Sequence, residues 1–162
     1  MMTGGSLDHS TITSNLWTEL RDQLRGSTCR AFRGDSKIIA NHSIRYPDLS
    51  VTCTQVRGTE DVVLDPVVII EVISPSTERE DRGREKFDYF ATPSIRQYAL
   101  IGERLIDLYT RTGEGWTDEI VEGDAVLKLS SIGVEVSLDV IYEDTELDAT
   151  RRREGERQIP AE

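Results

Sequence analysis

One carboxylate interrupts the most apolar segment of the sequence. Glu71 lies within residues 67–73 (VVIIEVI), where every other residue is valine or isoleucine. A run that is apolar on both faces is typical of a central strand covered on both sides. An ionised carboxylate that is buried without a partner is very costly, so it is paired, metal-bound or protonated. We therefore predict a metal or catalytic role for Glu71, with a salt bridge to an arginine near the strand end as the alternative.

A second carboxylate stands at the start of an earlier predicted strand. Asp48 follows Pro47, and residues 46–53 alternate between polar and apolar positions, as a half-buried strand does. Alone, Asp48 would be a solvated edge residue. Together with Glu71 it forms a pair on neighbouring strands whose mutual repulsion a divalent cation relieves. Oxygen ligands suit Mg²⁺ or Mn²⁺ and not Zn²⁺, and Mg²⁺ needs only one or two protein carboxylates.

A charged helix is predicted directly after the strand of Glu71. Pro75 ends that strand, Thr77 and Glu80 have the spacing of a capping box, and the helix extends to about Ala91. Three sets of residues recur along it at helical spacing: Arg79, Arg82, Lys86 and Tyr89 on one side, Asp81, Glu85 and Asp88 on another, and Gly83, Phe87 and Phe90 as the predicted buried stripe. A lysine of this helix can lean toward the carboxylates and stabilise charge on a phosphoryl oxygen. The alternative is a solvated charged face.

Other catalytic patterns are weak or missing. His9 lies in the first turn of the first predicted helix and is an accessory site candidate, whereas His42 is predicted to lie in an exposed turn. The sequence has no Ser-His-Asp spacing, phosphate-binding loop, dinucleotide fingerprint or zinc-binding cysteine pair. We also predict no base-stacking platform at Trp17 or Trp116, because the basic residues near them are not interleaved in the pattern that such a platform needs.

The helices and strands that would carry these residues indicate an α/β (α+β) fold. A helix from about Ser6 to Leu24, with Gly26 as its C-cap glycine, carries the apolar stripe Leu7, Ile12, Leu16, Leu20 and Leu24. Strands are predicted at 29–33 and 37–40 (a hairpin or broken pair around Gly34), 46–53, 67–73, 97–101, 105–111, 116–121, 126–129 and 134–136, and a last helix at 137–142. This order favours a mixed central sheet flanked by helices.

Composition restricts the class of protein. The chain has 162 residues and 37% apolar residues, which favours one domain over residues 1–143 followed by a polar, poorly ordered tail over 144–162. No apolar run approaches the ~20 residues of a membrane span, and no secretory signal is visible. Cys29 and Cys53 are therefore predicted to be reduced thiols in a cytoplasmic protein. The net charge of −11 counts against binding nucleic acid by electrostatics alone, but it does not describe local patches.

Several segments together resemble the Uma-type family of restriction-endonuclease-like proteins. They are residues 45–51 (RYPDLSV), 68–77 (VIIEVISPST) and 81–83 (DRG), with Gly4-Gly5-Ser6 and His9 before them and 93–101 and 138–142 after them. The resemblance covers the chain to about residue 143. It implies a PD-(D/E)XK nuclease core with Asp48 and Glu71 as motif acids, Mg²⁺ or Mn²⁺ as cofactor, and DNA as substrate. The implied metal ligands are Asp48, Glu71 and the backbone carbonyl of Val72.

The position of the catalytic lysine departs from the superfamily pattern. That lysine normally lies two residues after the acid, where this sequence has Ile73, and in the family it lies on the following helix. An ungapped match places Glu85 there, so Lys86, one step along, is the catalytic candidate, with Arg82 and Arg84 as accessory substitutes.

The sequence leaves three functions open. The first is a metal-dependent DNA endonuclease. The second is a catalytically degenerate nuclease-fold binding or assembly module, which the displaced lysine and the acidic charge support. The third is a metal-dependent hydrolase of small phosphate compounds. Short hairpins with exposed edges also make a homodimer plausible.

Overall fold

A computed structural model describes residues 6–73, 79–103 and 105–148, with the side chains of residues 79–81 left out. In that part of the chain the helices are α1 (Leu7–Gln23), α2 (Arg79–Ala91) and α3 (Leu138–Ile141). The strands are β1 (Arg30–Arg33), β2 (Ile38–Ala40), β3 (Ser43–Arg45), β4 (Leu49–Thr52), β5 (Pro66–Val72), β6 (Gln97–Ile101), β7 (Leu105–Thr112), β8 (Gly115–Glu122), β9 (Val126–Leu129) and β10 (Val134–Ser137).

Six strands form the central sheet in the order β1-β4-β5-β6-β7-β8. The β5–β6 pair is parallel and the other pairs are antiparallel, so the sheet is mixed. A parallel pair needs a crossover connection, and α2 lies within the segment that joins β5 to β6. Two small antiparallel sheets, β2–β3 and β9–β10, complete the fold. The predicted mixed central sheet flanked by helices is confirmed.

The two faces of the sheet carry separate apolar cores. On one face, residues such as Leu16, Ile70 and Val72 join α1 to the central strands, with β9, β10 and α3 packed beside them. On the other face, Ile69 packs with Tyr89 of α2 and with the β2–β3 hairpin. Because side chains alternate along β5, Glu71 lies on the same face as Ile69, as predicted. The site residue therefore projects into the α2 side of the molecule.

The first helix follows its predicted signals closely. The Ser6 side chain accepts a hydrogen bond from the His9 backbone N–H at 3.1 Å and so caps α1. Gly26 has φ +80°, the left-handed conformation that favours glycine after a helix. One member of the predicted apolar stripe is wrong, however. Leu7 is 87% exposed because it is the first residue of α1, and the helix reaches the core only at Ile12.

The predicted pairing around Gly34 is also wrong. The first strand, β1, pairs with β4, whereas β2 pairs with β3, a strand that the sequence did not reveal. The β2–β3 turn is closed by Asn41 and His42, which both have positive φ. His42 is exposed, as predicted. Local alternation cannot decide which strand becomes the partner, because Leu49 and its neighbours in β4 offer β1 a longer ladder inside the main sheet.

The buried stripe predicted for α2 is wrong as well. Phe87 is 66% exposed and Gly83 is exposed, whereas Tyr89 is fully buried and Asp88 nearly so. The helix is rotated from the predicted orientation because Tyr89 fills the space between α2 and the sheet, where its ring packs edge-on to Tyr98 at 5.1 Å. The predicted capping residue Thr77 and the side chain of Glu80 lie outside the described residues.

The two cysteines differ from the sequence-based expectation. Cys29 and Cys53 form a disulfide and are not free thiols. The reason is the register of β1 with β4, in which Arg30 lies opposite Thr52. The next pair outward consists of the two cysteines, which antiparallel pairing places side by side.

The end of the described chain continues the fold beyond residue 143. Thr145 is buried, and its hydroxyl donates to the Tyr142 carbonyl. Leu147 packs against the larger core. The first five residues of the predicted poorly ordered tail therefore belong to the packed structure, and the remainder, 149–162, lies outside the described residues. Among the described helices, none has the length and apolar character that a membrane crossing requires.

One arginine closes the loop that follows α2. The Arg111 guanidinium of β7 donates to the carbonyls of Ile95, Phe90 and Thr92 at 2.8–2.9 Å. It also lies 4.5 Å from the ring centroid of Trp116. Carbonyls at a helix C-terminus have no partner within the helix. Arg111 therefore ties the end of α2, and with it the orientation of Tyr89, to the central sheet.

We expect Arg111→Ala to lower the free energy of unfolding by roughly 2 to 4 kcal/mol, because three carbonyls lose a charged donor. Arg111→Lys should recover only part of the loss, since an ammonium cannot reproduce the planar fork. Urea denaturation measures both changes. The control is Arg96→Ala, an exposed arginine next to Gln97 of β6, for which we expect a change within about 0.5 kcal/mol. Equal losses for Arg96 and Arg111 would contradict this role.

Candidate metal and catalytic site

The register of β4 with β5 brings the two predicted acids together. Leu49, the first residue of β4, lies opposite Ile70 of β5, which brings Asp48, directly before β4, beside Glu71. The Asp48 backbone N–H donates to Glu71 Oε2 at 3.2 Å, and the Val72 backbone N–H donates to Asp48 Oδ2 at 2.7 Å. The two carboxylates are thus fixed side by side, and each is held by the backbone of the opposite strand.

Glu71 sits in an environment that penalises its charge. Burial and the negative charge of Asp48 together raise the pKa of Glu71 to about 8, with a further contribution from Glu85. The Tyr89 hydroxyl donates to Glu71 Oε1 at 2.7 Å and partly opposes the rise in pKa. No arginine bridges Glu71 among the described ion pairs. The described residues therefore give no support to the salt-bridge alternative considered from the sequence.

His9 reaches the site from α1. Its Nε2 lies 3.2 Å from Asp48 Oδ2, and this hydrogen bond is the main cause that raises the pKa of His9. The Thr13 hydroxyl donates to the His9 carbonyl at 2.8 Å, and the Ser6 cap holds the His9 N–H. Asp48 Oδ2 therefore accepts from both His9 and Val72, while Asp48 Oδ1 has no donor among the described residues.

The acidic side of α2 is turned toward the β3 strand. Arg45 donates through Nε and Nη2 to Asp88 Oδ2, and Asn41 Nδ2 donates to Asp88 Oδ1 at 3.2 Å. Arg45 Nη1 also lies 3.9 Å from Glu85 Oε1. Arg45 thus pairs with Asp88 and partly compensates Glu85, which still contributes to the raised pKa of Glu71.

Of the predicted basic candidates, Lys86 lies on the other flank of α2. The Lys86 ammonium sits 4.1 Å above the Tyr109 ring centroid and 5.3 Å from that of Phe90. Arg84 is exposed, and the charge of Arg82 acts on Tyr98. Among the described contacts, none joins Lys86 to Asp48 or Glu71. The structure thus brings His9, Asp48, Glu71 and Val72 together, and it places Lys86 over aromatic rings.

The donor set fits a hard divalent cation. No group of three or more His, Cys, Asp or Glu residues is arranged as a metal cage in the described part of the chain. Two adjacent carboxylates and a neighbouring backbone nevertheless match Mg²⁺ or Mn²⁺, which complete their shells with water and phosphate oxygens. The pKa of Glu71 is raised in part because the described protein groups do not compensate the negative charge at this point. A cation at this point would remove that penalty.

Sequence reasoning missed Tyr89 as a partner of Glu71. Tyr89 was assigned to a polar side of the helix, yet it is buried and hydrogen-bonded to the carboxylate. The sequence did contain one signal: Tyr89 lies one helical turn after Glu85, so the two side chains lie on the same side of α2. The Arg45–Asp88 pair had no such signal, because the β2–β3 hairpin that carries Arg45 was not predicted as a pair.

A cavity of about 360 Å³ opens beside His9 and Val72. Asp8, Glu103 and Glu146 contribute acidic side chains to its lining. The acidic lining makes this cavity unfavourable for a polyanion.

Comparisons with known proteins show a shared fold and two related chains. A structure described as a "putative nuclease belonging to DUF820 from Anabaena variabilis" superposes with a TM-score of 0.71, covering 85% of this chain and 81% of that one, at 17% identity. That similarity shows a shared fold. Among curated proteins, "Uncharacterized protein slr1290" of Synechocystis sp. is 36% identical over 147 residues, covering 87% of this chain and 77% of the relative. A second Synechocystis protein, "sll1609", is 28% identical over 119 residues, covering 68% and 67%.

The family resemblance inferred from the sequence is confirmed. The family described as "Uma2: Putative restriction endonuclease" matches residues 1–140, a range that includes Asp48, Glu71 and all of α2. The mixed sheet with its helices corresponds to a restriction-endonuclease-like nuclease fold. The chain belongs to the Uma2 family of restriction-endonuclease-like proteins.

Proposed function

We propose that this protein is a Mg²⁺- or Mn²⁺-dependent endonuclease of the PD-(D/E)XK type that hydrolyses phosphodiester bonds in DNA. One observation carries the proposal. Asp48, directly before β4, and Glu71 of β5 are held side by side, and the pKa of Glu71 is raised to about 8 by burial and by Asp48. A purely structural carboxylate would be expected to have an arginine or lysine partner. DNA is chosen as the substrate by analogy with the fold class.

Each residue of the site has a distinct task in this proposal. Asp48, Glu71 and the Val72 carbonyl would hold the cation, and Tyr89 would fix the rotamer of Glu71 through its hydroxyl. His9 would orient Asp48 through the Nε2–Oδ2 contact. The chemistry supplied by a bound Mg²⁺ or Mn²⁺ is the activation of water and the polarisation of phosphate oxygens. The basic residues of α2 (Arg82, Arg84 and Lys86) would contact phosphate groups.

A degenerate nuclease-fold binding module is the second candidate. Glu85 stands where the family pattern has its catalytic lysine. Its negative charge contributes to the raised pKa of Glu71, whereas a lysine would stabilise charge on a phosphate, and this difference favours a degenerate site. It is also favoured by the position of Lys86 over the Tyr109 ring. If wild type binds Mn²⁺ without cleaving DNA, Glu85→Lys should produce cleavage, because it replaces a repulsive charge beside Glu71 with an attractive one for phosphate. Continued inactivity of that variant would leave the binding module as the better description.

We expect wild type to nick supercoiled plasmid in Mg²⁺ or Mn²⁺ and not in EDTA. Glu71→Gln and Asp48→Asn should each lower the rate on the order of 100-fold or more, because each removes one ionised cation ligand. The matched control is Glu119→Gln, an exposed carboxylate of the β8 edge strand, which should cleave like wild type. Calorimetric titration of Mn²⁺ into the same samples separates a loss of metal from a loss of chemistry. Cleavage that persists in EDTA or in Glu71→Gln would refute the proposal.

Stability without metal should depend on pH in a defined direction. Glu71 has a folded-state pKa of about 8 against an ordinary value of 4.5, so its native environment favours the protonated form. Its contribution to stability is therefore fully present below pH 4.5 and is lost as the pH rises toward 8. In EDTA we expect Glu71→Gln to be more stable than wild type at pH 8.5 by roughly 2 to 5 kcal/mol, with the difference much smaller at pH 4.5.

Saturating Mg²⁺ should stabilise wild type at pH 8.5 and leave Glu71→Gln nearly unchanged, because a bound cation compensates the ionised carboxylate. Urea denaturation at the two pH values, with and without Mg²⁺, measures all four differences. Equal pH profiles for the two proteins in EDTA would contradict the assigned state of Glu71.

A further inference from the structure

A continuous row of aromatic rings leads away from Glu71 across the α2 face of the sheet. It begins at Tyr89, which donates to Glu71 Oε1. Successive ring centroids are 5.1 Å apart for Tyr89–Tyr98, 5.8 Å for Tyr98–Tyr109, 5.4 Å for Tyr109–Phe90 and 4.2 Å for Phe90–Trp116. We call these five rings the aromatic row. Its inner end is buried, whereas Tyr109, Phe90 and Trp116 are half-buried and reach the surface.

Two cations lie on the outer part of the aromatic row. The Lys86 ammonium is 4.1 Å from the Tyr109 centroid, and the Arg111 guanidinium is 4.5 Å from the Trp116 centroid. The exposed ring of Phe87 follows Lys86 in the chain and lies one turn before Phe90 on α2, so it extends the aromatic surface outward. The tertiary structure thus interleaves cations and rings that are far apart in the sequence. The ring of Trp116 carries a cation, Arg111, which the sequence did not indicate.

Charges on α2 are separated between its two flanks. Glu85 and Asp88 face Arg45, which compensates them. Lys86 lies on the opposite flank, above the aromatic row. At the outer part of the row, the sheet carries the acid Asp118, which stands opposite Tyr109 in the β7–β8 ladder. A local cationic strip therefore exists within an acidic protein, bordered by one carboxylate that would limit its strength.

We propose that the aromatic row with Lys86 binds an unpaired stretch of nucleic acid and leads its phosphodiester backbone toward Asp48 and Glu71. This inference rests on the proposed nuclease function and adds the substrate form. Unpaired bases expose ring faces that stack on aromatic side chains, while cations such as Lys86 contact phosphates. A duplex keeps its bases stacked inside and must be held by many phosphate contacts. The net charge of −11 and the short cationic strip suit a single strand better.

Binding to single strands can be measured without catalysis. We suggest fluorescence anisotropy in EDTA with a fluorescein-labelled 20-nucleotide oligo(dT) and with a labelled mixed-sequence duplex, from 50 to 200 mM salt. We expect wild type to bind the single strand more tightly than the duplex. Phe87→Ala should weaken single-strand binding about 5-fold or more with an unchanged salt slope, because it removes stacking. Lys86→Ala should weaken binding and reduce the slope of log affinity against log salt by about 0.7, because it removes one phosphate contact.

The chain offers a matched control on the other face of the sheet. Trp17 of α1 also carries cations on its ring, with Arg21 and Arg33 at 5.6 and 5.7 Å from the centroid, but it packs against the core away from the aromatic row. Arg21→Ala should therefore bind oligo(dT) like wild type. Asp118→Asn should tighten binding, since it removes the acid opposite Tyr109. Because Phe87 is exposed, its variant should retain the stability of wild type, which urea denaturation checks.

Three results would overturn the inference: unchanged binding by both Phe87→Ala and Lys86→Ala, an equal loss in Arg21→Ala, or duplex binding as tight as single-strand binding. These outcomes are separate from those of the cleavage test. Metal-dependent cleavage combined with unchanged binding by the two variants would leave the nuclease function standing and remove the aromatic row as its substrate surface. Selective single-strand binding without cleavage would support the aromatic row as a binding surface and remove the nuclease function.

Discussion

The pairing of β4 with β5 is the constraint on which the candidate site depends. Because Leu49, the first residue of β4, lies opposite Ile70, Asp48 directly before it lies beside Glu71, and a slip by one residue would turn one of the two acids to the other face of the sheet. The backbone hydrogen bonds from Asp48 to Glu71 and from Val72 to Asp48 then lock the carboxylates in place. Two like charges are thus held together by the main chain. The cores on both faces of the sheet supply the stability that this repulsion costs.

Helix α2 connects this pair of acids to the rest of the molecule. It supplies Tyr89 to Glu71, turns its acids toward Arg45, and places Lys86 above the aromatic row. All three arrangements depend on the same helix rotation, because residues on one helix cannot be turned independently. Arg111 maintains that rotation by holding the carbonyls at the end of the helix. A residue far from Glu71 in the sequence therefore controls the surroundings of its carboxylate.

The distribution of charge reconciles an acidic protein with an anionic substrate. The cavity beside His9 and Val72 has an acidic lining, whereas the α2 flank carries Lys86 over the aromatic rings. Net charge sums over the whole surface, but a substrate meets only one part of it. The Arg45–Asp88 pair matters here, because without it the acids of α2 would extend the negative field toward Glu71.

The sequence by itself determined the fold class, most strand positions and the two central acids. An apolar strand interrupted by Glu71 is a local pattern whose energetic cost can be read without coordinates, and the family motifs around Asp48 reinforced it. Only the tertiary structure decided the partners of these residues: the Tyr89 bond to Glu71, the Cys29–Cys53 disulfide, and the position of Lys86 on the rings. Each of these depends on strand register or helix rotation. Both are set by long-range packing, which local periodicity does not record.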